Sequence, residues 1–488
     1  MSKQSSSSSN PTRNAAFINA INLDVLRSLA LEVHAKTRST SSEPLTASVV
    51  SCTVVTPPRQ GGHNIAFDLE FSDGLSWLIR IPFEDWDAVD AGSMQRDIFA
   101  MEYITSRTSV PIPRLHAYCC TTDNPLAHPY MIMDRVRGVC LGSVWEDPSW
   151  WTGERRRENL FESLAGYMVE LAGLEFDKIG TLDRLSDGSY VVAPFITRFG
   201  LLSVSNAPHE GFGPFRTTHE YLDALLAFRR SRESDPQELA WIALAQLFVG
   251  ALPEAAFDSA PFTLAHPDFD SQNIFVDDTG RVVGIIDWDG VCTHPRALGA
   301  VTYPWFITCD WSPAMYDADE DESDSYRRMY ADAVRIASGG KLDVVTRNSH
   351  VVSALYSAAC GCFGSQGILI YLGQYLFGSD LVVMSMWEGL QQGGWLTGPP
   401  DAVARVKLWP EPDDDVSLKT GQAAREVQDA QKNEEARTSG LGWIRRLGGP
   451  MQRKALSAVK TCLPKRWSLS LRVVQVEHPS SSAIMTVL

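Results

Sequence analysis

The chain has 488 residues, 44% of them hydrophobic, and a formal net charge of -16. Such a length can bury a large core and exceeds one ordinary domain, so two lobes with tails are expected. The acidic balance argues against nucleic acid as the main partner and suits solubility or a cationic substrate.

Residues 1–14 carry five consecutive serines and no apolar signal region, and read as a disordered leader. Phe17 to Ala35 predicts a helix with Ile18, Ile21, Val25, Leu26 and Leu29 on one face. Ala47 to Val55 reads as a strand and Pro57 to Asn64 as a loop. Ile65 to Phe71 and Leu75 to Ile81 then read as strands joined by the turn Ser72-Asp73-Gly74. The last of these carries a single cation, Arg80. The helix that follows, Ala91 to Arg107, offers Asp97 and Glu102. Pro129 to Gly138 predicts a buried strand that leaves through a glycine. A helix is expected over Glu154 to Leu174, with Leu160, Leu164, Met168 and Leu171 inward. A short hairpin follows between Leu174 and Pro194, then helices over Thr218 to Arg230 and Pro236 to Ala251.

The densest chemistry comes next. Phe262-Thr-Leu-Ala-His266-Pro-Asp268 is an apolar run ending in His-x-Asp, and Asn273 sits five residues after that Asp. A turn at Asp277-Asp-Thr-Gly280 leads to the apolar run Val282 to Ile286, which ends at Asp287-Trp-Asp289. Two strands and a turn would therefore gather acids and an amide at one mouth. Phosphoryl transfer from ATP needs such parts. One carboxylate orients the attacking hydroxyl, while an amide oxygen and a second carboxylate hold magnesium. His-x-Asp-x-x-x-x-Asn followed by an Asp on the next strand is the spacing of the kinase catalytic loop. His, Asp and Asn are also ordinary turn residues, but the full set with its strands is seldom accidental.

The segment resembles the aminoglycoside phosphotransferase family, the small-molecule branch of the protein-kinase-like fold. Its members carry His-Gly-Asp-x-x-x-x-Asn and then Ile-Asp-Trp-Glu. Here Pro267 replaces the glycine and Asp289 the glutamate, and neither change removes a needed group. The similarity runs from about Ser48 to about Tyr330. It implies an α+β, bilobal protein-kinase-like fold, with a small antiparallel-sheet lobe and a larger, mainly helical lobe. The nucleotide-binding lobe would span 15–136, the catalytic and acceptor-binding lobe 137–409, and a polar then basic, largely disordered tail 410–488.

The resemblance also assigns roles. Asp268 would be the catalytic acceptor of the hydroxyl's hydrogen bond, and His266 would brace its loop. Asn273 and Asp287 would ligate Mg2+. Gly61 and Gly62 would let backbone N–H groups reach the phosphates, although two adjacent glycines often make only a tight turn. Arg80 would stand where kinases place a phosphate-contacting lysine, gripping with two parallel bonds. Asp97 falls at the position of its ion-pair partner. Backbone groups near Met133, Asp134 and Arg135 would read the adenine edge. There is no GxGxxG and no GxxxxGK[ST], so a P-loop NTPase finds no support.

Several stretches lie outside the motif. Gly299 to Trp311 is aromatic-rich, and simple packing is its default reading. Asp317 to Asp324 is an acidic run that reads as a solvated loop and, more weakly, as a steering surface for a cationic acceptor. Val351 to Ser379 has no charged residue, yet its glycines and polar residues favour a pair of core helices over a membrane span. The basic, apolar-dotted tail 441–488 would suit a weak anionic-membrane contact or docking on the acidic body, with disorder expected at least as readily. Nine cysteines without metal spacing read as buried thiols of a reducing compartment, so a cytoplasmic location is expected.

The expected function is an ATP-dependent small-molecule kinase acting on a hydroxyl. The alternative is a catalytically silent nucleotide-binding or scaffold protein on the same fold. A eukaryotic-type protein kinase fits less well, because Asp-Phe-Gly and Ala-Pro-Glu are missing.

Overall fold

Alternation between apolar and polar residues builds the first sheet of the computed structural model. That structure describes residues 11–39, 50–83, 86–196, 211–308, 320–361, 365–378 and 380–392, plus strands Val474–Gln475 and Met485–Thr486. Residues 1–10 of the expected leader 1–14 and almost all of the tail 410–488 lie outside the described residues, and Pro11–Asn14 open a helix where disorder was expected.

Strands β1 (Cys52–Val54), β2 (Arg59–Gln60), β3 (Asn64–Phe71) and β4 (Ser76–Pro82) are joined by β5 (Leu115–Cys119) and β6 (Tyr130–Asp134). They form one antiparallel sheet in the order β1-β3-β4-β6-β5, with β2 paired to β3. Ile65, Phe67 and Leu69 share a buried face with Trp77, Ile79 and Ile81. Helices α1 (Pro11–Ala20) and α2 (Leu23–Ser39) cover that face through Phe17 and Ile18 of α1, Ile21 of the link and Leu26, Ala30 and Val33 of α2. The opposite face holds Leu78, Met131 and Met133 against Met94 and Ile98 of α3 (Ala88–Thr105). Side chains alternate along a strand, so Arg80 belongs to this second face, with α3.

Two boundaries differ from expectation for local reasons. The single helix predicted over 17–35 is two helices, because the Asn22 side chain accepts the N–H groups of Asp24 (3.1 Å) and Val25 (3.2 Å) and starts a new helix. Helix α3 begins before Ala91 because Asp87 and Asp90 form a reciprocal capping box, a contribution of about 1 kcal/mol.

Beyond the sheet come β7 (Val139–Cys140), α4 (Arg157–Ala172), β8 (Glu175–Phe176), β9 (Thr181–Arg184) and β10 (Tyr190–Ala193). Only β9 and β10 form the hairpin expected here. β8 instead joins β11 (Phe262–Ala265), with Phe262 opposite Phe176. β12 (Ile274–Val276) and β13 (Val282–Ile285) make the two-strand unit read from the motif, with Ile274 opposite Ile285. β14 (Cys292–His294) pairs with β11.

Most of the remaining described chain is helical: α5 (Thr218–Arg232), α6 (Pro236–Ala251), α7 (Glu320–Ala337), α8 (Asp343–Cys360), α9 (Ser365–Phe377) and α10 (Asp380–Gln392). The fold is thus α+β, as expected. From Glu320 on, the acidic run is helix rather than loop, and Asp324 pairs with Arg327 at 2.5 Å and with Arg328 at 3.7 Å. The uncharged stretch is two helices; α8 ends before Gly361, whose φ of 75° suits glycine. Among the described residues no helix is long and apolar enough to cross a membrane.

The chain divides into two compact units. The first is Met1–Pro214, Pro261–Thr308 and Asp319–Arg347; the second is Phe215–Ala260, Cys309–Ala318 and Asn348–Leu488. The boundary expected at 136/137 falls inside the first unit, and the expected lobe 137–409 is shared between the two. In the second unit the indoles of Trp241 and Trp387 stack at 5.2 Å.

One glycine of β13 sets how closely the chain after β6 can approach. A Cβ on Gly284 would sit 2.3 Å from Cγ1 of Val136. Gly284→Ala should therefore destabilise the protein by roughly 1–3 kcal/mol in denaturant titration, and adding Val136→Ala should recover most of the loss. Equal stability of Gly284→Ala and wild type would show that the two segments do not pack as described.

Candidate active site

The loop after β11 is held by its own side chains. His266 is buried; its Nε2–H donates to the Ile286 carbonyl (2.8 Å), and its Nδ1 accepts the Asp268 N–H (3.2 Å). Burial pulls the imidazole below its usual range, against the pull of the Ile286 carbonyl and of Asp268 and Asp287, so the neutral tautomer fits both bonds. The ring also meets Trp288 edge to face at 4.7 Å. His266 therefore joins the loop to the end of the neighbouring strand.

Asn273 does the same from the other side. Its Nδ2 donates to the Asp268 carbonyl and to Asp268 Oδ2, both at 2.8 Å, and Gln272 Nε2 gives Oδ2 a second bond at 2.8 Å. One Asp268 oxygen is thus fixed, while Oδ1 accepts no hydrogen bond among the described residues. The Ile286 N–H donates to the Asn273 carbonyl (2.9 Å), which ties the residue before Asp287 to the loop. Asp268 and Asn273 are in direct contact, and Asp287 is linked to them through Ile286.

Asp287 has a φ of 64°, uncommon outside glycine, and its side chain is 41% exposed. Strain of this kind persists where neighbours over-determine the backbone. Here the Trp288 indole donates to the Ile285 carbonyl at 2.9 Å, and the Gly290 N–H donates to Asp97 at 2.8 Å.

Arg80 ends in the same place. Nη1 donates to Asp289 Oδ1 (2.8 Å), and Nη2 donates to Asp289 Oδ2 (2.7 Å) and Asp287 Oδ1 (2.8 Å). With its amide turned so that the oxygen faces the guanidinium, Asn64 accepts from Nη2 at 2.6 Å and Nε at 3.1 Å. Burial pushes the Asp289 carboxyl up, and Arg80 opposes the shift. Burial and the nearby Asp289 hold the Asp97 carboxyl well above its usual range. The Arg80–Asp97 pair expected from the sequence is not formed: the arginine grips Asp287 and Asp289, and Asp97 serves the Gly290 backbone. Asp289 stands at the motif's glutamate position, but neither it nor Asn64 was expected to hold Arg80.

The remaining expected groups are placed differently. The Gly61 N–H donates to the Asn64 carbonyl (2.8 Å) and closes the turn between β2 and β3. A Cβ on Gly62 would meet nothing within 4 Å. In β6, Met133 lies opposite Leu78, and the N–H groups of Asp134 and Arg135 donate to Arg114 (2.9 Å) and Ser76 (3.2 Å). His116 donates to Asp134 (2.6 Å) and stacks on Trp77 at 4.0 Å. These two backbone N–H groups are consumed in the sheet, so they do not offer an open donor to a base. Of this stretch, the Val136 N–H makes no hydrogen bond among the described residues.

Among the described residues no group of three His, Cys, Asp or Glu could hold a metal ion by itself. The donors at hand are the Asn273 amide oxygen and Asp287 Oδ2, which hard cations accept alongside phosphate oxygens and water. Asn273 spends its nitrogen on Asp268, and Arg80 takes only Oδ1 of Asp287. The pair offers the oxygen donors that a hard divalent cation accepts.

A model of the phosphotransferase enzyme family (APH) matches residues 54–332. The chain belongs to that family. Its protein-kinase-like fold is the one expected from the motif. This phosphotransferase-family chain is 20% identical over 368 residues to "Altered inheritance of mitochondria protein 9, mitochondrial" of Saccharomyces cerevisiae (strain RM11-1a), covering 62% of this chain and 57% of that protein. It is 23% identical over 321 residues to a "Subtelomeric hrmA-associated cluster protein" of Aspergillus fumigatus, covering 54% and 62%. The chain thus spans less than two thirds of the length of these curated relatives. Among solved structures, a putative fructosamine-3-kinase from Thermobifida fusca is similar at 14% identity and a TM-score of 0.37, over 71% of this chain and 95% of that one.

The His266 brace should respond to acid. The folded-state pKa lies below the ordinary 6.5, so the stability it supports is complete above that value and is lost as pH falls towards the lower folded value. Denaturant titrations at about pH 7.5 and about pH 5.5 should show wild type losing more stability than His266→Gln, which keeps a donor and an acceptor but does not titrate. Equal losses would place the acid sensitivity elsewhere.

Proposed function

We propose that the chain transfers the terminal phosphoryl group of ATP to a hydroxyl of a small molecule, with Mg2+ as the metal. One observation carries this reading. Asp268 has one oxygen fixed by Asn273 and Gln272 while the other is open, and the linked strand end presents Asp287 beside Arg80. Oδ1 of Asp268 accepts a hydrogen bond from the acceptor hydroxyl and aims it. A carboxylate is a weak base towards an alcohol, but a loose transition state lets the proton leave late, so aim matters more than basicity. Asn273 and Asp287 would hold magnesium, which supplies positive charge against the phosphate oxygens. Arg80, always protonated, adds a second positive group at the same mouth. His266 keeps the loop in register with the strand.

The acceptor class follows from no single residue. The acidic chain suits a cationic acceptor. Measuring ATP consumption over a panel of hydroxylated metabolites, amino-alcohols prominent among them, tests the reading. No acceptor-dependent turnover across the panel counts against it.

Replacing the aiming carboxylate gives the sharper expectation. Asp268→Ala should lower turnover roughly 10²–10⁴-fold while nucleotide affinity stays within a few-fold. Full activity in that variant would remove Asp268 from the reaction.

The silent-scaffold reading draws on Arg80, whose guanidinium already satisfies Asp287 and both oxygens of Asp289. Thermal shift separates the two. Stabilisation by ATP that requires magnesium, and that Asp287→Asn abolishes, supports a working metal site. A response to neither ligand favours the scaffold.

A further inference from the structure

The helix acid of this chain and the partner of its strand cation are different residues. Asp97, on α3, is only 4% exposed, and its one hydrogen bond among the described residues is the one it accepts from the Gly290 N–H, at 2.8 Å. Arg80 is satisfied by Asp289 and Asp287 at 2.7–2.8 Å. A cavity of about 20 Å³ is lined by Asn64, Arg80, Ser93, Asp97 and Asp289 among others. That is room for about one water molecule.

Gly290 closes a short turn whose backbone is held in an unusual state. Asp287 has a φ of 64° and Gly290 a φ of 84°. Both acids that grip Arg80 stand on this turn. Two side chains bond backbone groups here: the Trp288 indole on the Ile285 carbonyl, and Asp97 on the Gly290 N–H. The second comes from another element of the chain, α3, as the Arg80 grip on the two acids comes from β4. Helix α3 therefore holds the backbone of the turn that carries both acids, while among the described residues its own acid makes no ion pair with the strand cation.

We propose that Asp97 is a positioning residue which fixes the turn from Asp287 to Gly290 through the Gly290 N–H, while Asp289 takes over the setting of Arg80. The inference rests on the phosphotransferase reading for its consequence, but not for the hydrogen bond itself. An ion-pair partner must be charged, whereas a backbone acceptor needs only an oxygen lone pair. Burial, which holds the Asp97 carboxyl towards its neutral form, is compatible with the second role and adverse to the first. Asp97→Asn keeps an oxygen that can accept; Asp97→Ala keeps nothing.

Hydrogen exchange across 287–291, in the full chain without ligands, reads the fastening. Asp97→Ala should exchange about tenfold faster there, and Asp97→Asn should stay within about twofold of wild type. Calorimetry with the non-hydrolysable analogue AMP-PNP, with and without Mn2+, reads the consequence. Asp97→Ala should weaken Mn2+ uptake by the nucleotide-loaded protein about tenfold and leave metal-free nucleotide affinity within about threefold. Asp289→Asn should show the reverse weighting, with metal-free nucleotide affinity falling more. A circular-dichroism melt confirms that each variant is folded; should Asp289→Asn fail to fold, Asp289→Glu, which keeps the charge at a longer reach, takes its place. The proposal is overturned if Asp97→Asn and Asp97→Ala both lose metal-free nucleotide affinity by about tenfold or more, because the charge would then be acting on Arg80. It is also overturned if exchange over 287–291 is unchanged in Asp97→Ala. Wild-type protein that takes up neither AMP-PNP nor Mn2+ would instead sink the phosphotransferase reading, and the exchange measurement would still decide the fastening.

Discussion

The candidate site depends on one partly buried positive charge. Asp287 and Asp289 lie two residues apart on a turn, with Asp97 close behind, and carboxylates gathered out of water repel one another and lose hydration. Arg80 makes the arrangement tenable. Its planar fork meets both oxygens of Asp289 and one of Asp287, so that one cation is shared between two acids. A lysine would offer a single point charge without that geometry. The strand that carries Arg80 is in turn fixed by the alternation of Trp77, Ile79 and Ile81 into the core beneath α2, which turns Arg80 to the opposite face.

Around that charge, polar side chains fasten backbone to backbone. His266 connects the Asp268 loop to Ile286, Asn273 closes the same loop on itself, and the Asn273 carbonyl receives the Ile286 N–H. The apolar pairing of β12 with β13 brings these groups within reach, and the hydrogen bonds then select the orientation of Asp268. Placing catalytic-type side chains at strand ends keeps them exposed while their supports stay dry. His266 and Asn273 are buried, whereas the side chain of Asp287 is 41% exposed.

Much of this was legible in the sequence because it is local. His266, Asp268, Asn273 and Asp287 are tied by spacing alone once two short strands and a turn are recognised, and the strands were marked by apolar runs between turn residues. The pairing of Arg80 was not legible. Choosing among Asp97, Asp287 and Asp289 requires knowing how far α3 stands from the strand, a distance set by Met94, Ile98 and the methionines of β6. Spacing along the chain carries no information on that gap. The start of α2 at Asn22 and the capping box before α3 were missed for another reason: the apolar period outlines a helix but not its caps. The partner of β8 was missed because two residues cannot advertise a partner some ninety positions away.

The choice of arginine on β4 also changes how this site can be approached chemically. Acyl-phosphate and sulfonyl reagents that report on nucleotide sites do so by capturing a primary amine next to the phosphates. A guanidinium that keeps its proton at every working pH, and that is clamped by two carboxylates, gives such reagents nothing to capture. Proteome-wide labelling directed at kinase lysines would pass over this position however well the site is formed.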